Sequence, residues 1–239
     1  MICHEYKTIF VHIPKTGGQS IETFFLKQFN LNWEERSKLY IGKNPKDKGP
    51  DNLSHFKASE YVKYDYVTKE KYDNYFSFAF VRNPWKRVVS LYHYMRFDKL
   101  ISFDTFIKIQ LPRLLKQKHI LVIPQYEFVY NEKGDVEVDF IGRLEQINED
   151  FKIVQERLNL PLEKLPHINK RGGNSLKGWR NLKHNLYKVR TNLHLIPHLQ
   201  MTTTEKMPTA DYYNKALKDR VAQMYKKDIE LFDYQYPED

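Results

Sequence analysis

Twice in the chain a short apolar strand runs through a special turn directly into an amphipathic helix. The first unit is KTIFVHI (residues 7–13), then PKTGGQS, then IETFFLKQF, in which Ile21, Phe24, Phe25 and Phe29 share one helical face. The second is FSFAFV (Phe76–Val81), then RNP, then a helix carrying Trp85, Val88, Val89 and Tyr92 at i, i+3, i+4 and i+7. Strands that are apolar on both faces belong in the middle of a parallel sheet. Two strand–turn–helix units therefore predict an α/β domain with a central parallel sheet flanked by helices. Asn83 suits the cap of the second helix and Pro84 its first position, where a missing N–H costs nothing.

The remaining pattern is compatible with one domain over residues 1–239. A polar stretch at 32–51 reads as an exposed loop, 102–109 as a helix, and 127–140 as a hairpin turning on NEKGD. Residues 145–158 predict a helix with Ile147, Phe151, Val154 and Leu158 inward. Residues 211–232 predict a long last helix burying Leu217, Val221, Met224 and Leu231. A basic helical insertion is expected at about 176–209, where Leu182, Leu186 and Val189 recur at helical spacing. No repeat or low-complexity tract interrupts the chain.

Composition narrows the class. Hydrophobic residues at 41% and aromatics at 15% exclude a disordered chain. A single cysteine, Cys3, excludes a disulfide scaffold and a zinc site built on several thiolates. No His/Cys/Asp/Glu cluster suggests a metal. No apolar run is long enough to span a membrane, and no signal-peptide pattern is visible. With 39 Lys+Arg against 30 Asp+Glu, the net charge of +9 points to an anionic partner without naming it.

The turns name it better. In PKTGGQS the two glycines let the chain bend so that backbone N–H groups and the positive end of a helix face one point. Lys15 adds a cation, and Thr16 and Ser20 add hydroxyls. That is a phosphate or sulfate cradle. It is not the nucleotide-binding order G-x-x-x-x-G-K-[ST], because here the lysine precedes the glycines. In RNPWKRVVSLY, Arg82 stands at the carboxyl end of a strand, the edge where open α/β sheets bind ligands. Ser90 and Arg87 point away from the Trp85/Val89 stripe, so a guanidinium and a hydroxyl are positioned for a second phosphate. Two anion cradles at strand ends predict one ligand with two anionic ends.

These residues carry a family resemblance. VHIPKTGGQS resembles the 5′-phosphosulfate loop of sulfotransferases and VRNPWKRVVSLY their 3′-phosphate motif. DFIGRLEQINEDF, LPHIN and the closing KKDIELFDYQY are similar to the later half of the carbohydrate sulfotransferases, the heparan and chondroitin enzymes and their bacterial relatives. The resemblance implies a three-layer fold like that of P-loop NTPases and transfer of a sulfuryl group from 3′-phosphoadenosine 5′-phosphosulfate (PAPS) to a hydroxyl of a carbohydrate. No metal is implied, and an anionic glycan would suit the charge. By the same resemblance Lys15, Thr16, Gly17, Gly18, Gln19 and Ser20 hold the 5′-phosphosulfate. Arg82 and Ser90 hold the 3′-phosphate, and Lys170 and Arg171 close over the nucleotide. Lys15 faces the oxygen that leaves.

The general base implied is His55, by position and because an imidazole suits the task near neutral pH. Glu60 stands in reserve, since other branches use a glutamate. His12 reads as a packed core histidine, while His119 and His167 have no spacing argument behind them. A first strand beginning within ten residues of Met1 leads to the expectation of a cytoplasmic, bacterial-type enzyme, or of a catalytic domain trimmed of its anchor. Three other readings stay open. One is a sulfotransferase of a non-carbohydrate acceptor. Another is a P-loop kinase or NTPase, against which the missing acidic Mg²⁺ strand end counts. The last is a basic nucleic-acid-binding module, for which no recognition motif is present.

Overall fold

The computed structural model describes residues 1–42, 53–166, 186–200 and 207–237; His167, Lys170 and Arg171 lie outside them. Strands β1 (Ile2–Cys3), β2 (Thr8–Val11), β3 (Phe76–Val81) and β4 (Phe140–Arg143) form one sheet in the order β1-β2-β3-β4. β1 runs antiparallel to β2, and β2, β3 and β4 are mutually parallel.

Side chains alternate between the faces of a strand, and both faces here are covered. Ile9, Val11, Ala79 and Val81 pack with Phe56, Tyr61, Phe128 and Phe232 on one side. Phe10, Phe78 and Phe80 pack on the other, against Phe24 and Phe25 of α1 (Gly18–Gln28) and Phe151 and Val154 of the helix Ile147–Arg157. Two short helices, α2 (Ala58–Lys63) and α3 (Lys69–Asn74), lead into β3, and α4 (Pro84–Tyr94) leaves it. Asn83 caps α4 as its sequence suggests, accepting from the N–H groups of Trp85 and Lys86. A third apolar cluster joins Val88, Val89 and Tyr92 of α4 to Phe106, Leu111, Leu217, Val221 and Tyr225. The fold is thus mixed α/β, a mostly parallel four-stranded sheet flanked by helices. No helix among the described residues is long and apolar enough to cross a membrane.

The structure corrects four local readings. The hairpin over 127–140 is reduced to one antiparallel bridge, Tyr130 to Val136, after a helical turn at Tyr126–Val129. Phe140 instead opens a parallel strand, because its segment pairs with β3. The loop over 32–51 contains a 3-10 helix, Trp33–Leu39. The helix expected at 102–109 continues through a π-helical stretch, Phe106–Gln110, into Leu111–Lys116. The last helix breaks at Tyr225 into Lys215–Met224 and Lys226–Leu231. Across that break the buried residue is Tyr225, whereas Leu231 is 44% exposed. In the part of the basic insertion that is described, Leu195 is buried and Val189 packs on the α4 cluster, but Leu186 is exposed.

Gly142 pairs with Phe80 across β3 and β4. A Cβ at Gly142 would lie 2.5 Å from Phe80 Cε1. Gly142→Ala must therefore push a fully buried aromatic ring aside, at a cost of about 1–3 kcal/mol. Urea denaturation should show the midpoint falling with little change of slope; an unchanged midpoint would mean the ring has room to move.

Candidate active site

The turn between β2 and α1 is built on two left-handed residues, Lys15 (φ 70°) and Gly17 (φ 88°). Only glycine fits the second, since a Cβ there would sit 2.7 Å from Leu144 Cδ1. A lysine held in the left-handed region stores backbone strain, a feature that gathers at functional turns. Thr16 is fully buried, and its hydroxyl donates to the Ile13 carbonyl at 2.9 Å. It thus braces the turn from beneath, and its side chain is committed there instead of being offered to an anion. The N–H groups of Gly17 and Gly18 meet no acceptor among the described residues. Gly17 caps α1 without a side-chain bond. Orphan donors at the positive end of a helix are an anion receptor.

That turn forms one wall of a cavity of about 250 Å³. Lys15, Gly17, Gly18 and Gln19 line it, together with His12, Glu22, Trp33, Arg36, His55 and Tyr94. The Lys15 ammonium lies 4.0 Å from the centre of the Tyr94 ring on α4. His55 Nδ1 is 3.0 Å from the His12 carbonyl. A carbonyl only accepts, so Nδ1 carries the proton and Nε2 is the acceptor of the neutral ring. Burial, with the neighbouring His12 charge, pulls the His55 pKa down to about 4.

His12 does more than pack. Its ring lies 4.8 Å from that of His55, edge-on, and its Nδ1 is 2.8 Å from Glu22 Oε1. Burial raises the Glu22 carboxyl, but the His12 charge and hydrogen bond outweigh it and leave the group below its ordinary value. The ring occupies the space a side chain at Gly18 would need, because a Cβ there would lie 2.1 Å from His12 Cδ2. The second glycine of the turn is thus required by a histidine six residues earlier.

The second loop lies against the first. Arg82 Nη1 reaches the Lys15 carbonyl at 3.4 Å. The Arg82 backbone is bracketed by Gln125, which accepts from its N–H and donates to its C=O, both at 2.8 Å. Ser90 is half-buried on α4, and neither Ser90, Ser20 nor Arg82 lines the cavity that holds Lys15 and His55. Arg87 is not available for a phosphate. Its fully buried guanidinium donates to the carbonyls of Pro14 (3.1 Å), Ile123 (3.0 Å) and Leu121 (3.0 Å). Helical phase placed it away from the Trp85/Val89 stripe, and that side of α4 faces other backbone instead of a ligand. Glu60 accepts the N–H of Lys57 at 2.8 Å, capping α2 away from the cavity. His119 Nδ1 accepts the N–H of Leu121.

The model of the sulfotransferase family matches residues 1–235, and the chain belongs to that family. Over 107 residues it is also 41% identical to an uncharacterized protein of Archaeoglobus fulgidus, an alignment covering 43% of this chain and 83% of that protein.

Lys15, Gly17, Gly18, Gln19 and His55 are brought together, and Arg82 is tied to the same turn. Four residues that sequence reasoning passed over, Glu22, Trp33, Arg36 and Tyr94, share the cavity with them. Only Glu22 had a local signal, standing one helical turn beyond Gly18. A pH dependence follows from His55. Between about 4 and the ordinary 6.5, the unfolded chain holds a proton on this ring that the folded chain does not. The stability this group contributes therefore falls as pH drops through that window. The melting temperature of the wild type should decline more steeply from pH 6.5 to 4 than that of His55→Gln; parallel declines would show an imidazole that is not buried.

Proposed function

We propose that the protein transfers a sulfuryl group from PAPS to a hydroxyl of a carbohydrate. The observation that carries this reading is one cavity in which the orphan N–H groups at the start of α1, Lys15 and His55 stand together in a chain of the sulfotransferase family. The three-layer, P-loop-like architecture belongs to the same reading. It is supported by the strand–turn–helix start and by the sheet covered on both faces.

The donor site fits a dianion. The backbone of Thr16, Gly17 and Gly18 and the Lys15 ammonium would hold its 5′-phosphosulfate end. Arg82, tied to the Lys15 carbonyl, and Ser90 would hold the 3′-phosphate, with Lys170 and Arg171 beyond. The donor supplies an electrophilic sulfur, to which the acceptor oxygen bonds as the bond to the bridging oxygen breaks. Everything else is done by this chain. Lys15 faces the charge that grows on the leaving oxygen, and the α1 dipole adds to it. His55, with Nδ1–H fixed by the His12 carbonyl, offers Nε2 to the hydroxyl proton of the acceptor. Its low pKa keeps the free ring unprotonated at neutral pH, and an added dianion beside it favours the protonated form as the reaction proceeds.

The first test is ligand-induced stabilisation. 3′,5′-Diphosphoadenosine should raise the melting temperature, while ATP–Mg²⁺ and duplex DNA should not; a shift with ATP–Mg²⁺ alone would indicate a kinase or NTPase. Lys15→Ala should abolish transfer from PAPS, and wild-type turnover in that variant would remove the lysine from the mechanism. For His55→Ala the expected result is a fall in kcat of about 100-fold or more with nucleotide affinity nearly unchanged. Equal losses in both would make the histidine structural.

A further inference from the structure

The cavity has a second set of walls that the donor reading does not use. Asn32 and Glu35 form a reciprocal cap. Asn32 Oδ1 accepts from the N–H groups of Glu34 and Glu35, and Glu35 Oε2 accepts from that of Asn32. This cap starts the 3-10 helix Trp33–Leu39. Side chains three apart eclipse in such a helix, so Trp33 and Arg36 project together. The Arg36 guanidinium carbon lies 5.0 Å from the centre of the Trp33 ring, and Nη1 donates to the Trp33 carbonyl at 2.6 Å. Gly42, at φ 105°, leaves bare backbone beside it; a Cβ there would be 3.2 Å from Arg36 Nε.

Arg36 forms no ion pair with a carboxylate among the described residues. The carboxylate that does line the cavity, Glu22, is occupied by His12. Trp33 keeps 37% of its surface exposed. The cavity therefore holds a planar cationic fork with donors to spare, pre-set on an aromatic platform. That is the geometry for a carboxylate or sulfate carried on a ring with an apolar face.

Building on the transfer reaction above, we propose that Trp33 and Arg36 are the specificity-determining residues for the acceptor. Arg36 takes an anionic group of the sugar, and Trp33 takes the apolar face of the ring that bears it. His55 receives the proton of a hydroxyl held in the same cavity. The acceptor is then an acidic saccharide whose charge lies close to the hydroxyl sulfated, and a neutral sugar leaves Arg36 without a partner.

The test uses the full chain, labelled PAPS and four sets of oligosaccharides: uronate-bearing ones, their carboxyl-reduced counterparts, sulfated ones and their desulfated counterparts. Transfer is expected to the acidic sets, and loss after carboxyl reduction or after desulfation tells which anion Arg36 takes. Arg36→Met keeps the aliphatic stem on Trp33 and removes the fork. It should raise KM for the acidic acceptor about 10- to 100-fold, the range of one to two charge-assisted hydrogen bonds. The affinity for 3′,5′-diphosphoadenosine should stay as in the wild type, and Arg36→Lys should recover part of the loss. Equal transfer to the neutral counterparts, an unchanged acceptor KM in Arg36→Met, or transfer to no acidic set while diphosphoadenosine still binds would each overturn the assignment. A wild type that neither binds diphosphoadenosine nor uses PAPS would instead overturn the reaction on which it rests.

Discussion

A buried guanidinium organises this molecule. Arg87 sits on α4 with its donors aimed at three backbone carbonyls from two distant segments, Pro14 on one side and Leu121 and Ile123 on the other. Burying such a group uncompensated would be prohibitive. The surroundings supply the compensation. Tyr225 presents its ring face 6.0 Å away and donates its hydroxyl to the Val122 carbonyl. Asp228, wholly buried, acts on Arg87 through its charge while accepting from the N–H groups of Gln125 and Tyr126. Burial still raises the Asp228 pKa to about 6 against those donors. The outcome is a rigid seam from the final helices, through residues 121–126, to the turn that carries Lys15. Gln125, held by that seam, fixes the backbone of Arg82. The turns that carry Lys15 and Arg82 are therefore both held by one buried polar network.

Within the cavity the charges are arranged by pairing as much as by number. Glu22 would repel an anion if its charge were free, but His12 holds it. His12 in turn fixes the His55 tautomer through its carbonyl, which leaves one nitrogen of each role. A strained lysine, an orphaned helix start and a neutral imidazole then share a space lined by few competing acceptors. Preorganisation of this kind is what transfer chemistry without covalent help requires.

Much of this was legible in the chain itself, for identifiable reasons. β3 and the start of α4 match the reading residue for residue, because a run of buried apolar residues ending in Asn-Pro has little alternative. The PKTGGQS turn was equally readable, although only Gly17 is set by a left-handed backbone and Gly18 answers to the His12 ring. The hairpin at 127–140 failed because NEKGD is a good turn, but the residues before it form a helical turn and Phe140 pairs with β3. Arg87 was misjudged because helical phase tells which residues avoid the apolar stripe. It does not tell whether a second backbone lies on the other side. The last helix was drawn too long because Tyr225 interrupts it to reach Val122, a contact 103 residues away. Trp33 and Arg36 escaped notice because their capping box was submerged in a polar stretch. The Thr16 hydroxyl, read as a ligand donor, is an internal brace.

The seam has an effect on how the protein comes into being. Asn83 at the head of α4 donates to the Gln235 carbonyl, 152 residues on, and Asp228 reaches back 103 residues to Gln125. Chains are made from the N-terminus, and domains assemble as their parts emerge. The strands and α1 are made first, yet Arg87 has no counter-charge, and Gln125 no anchor, until Asp228 has left the ribosome. A nascent chain without Asp228 thus carries the Lys15 turn without the frame that gives it shape. The shape of that turn would wait on the synthesis of residues 225–235.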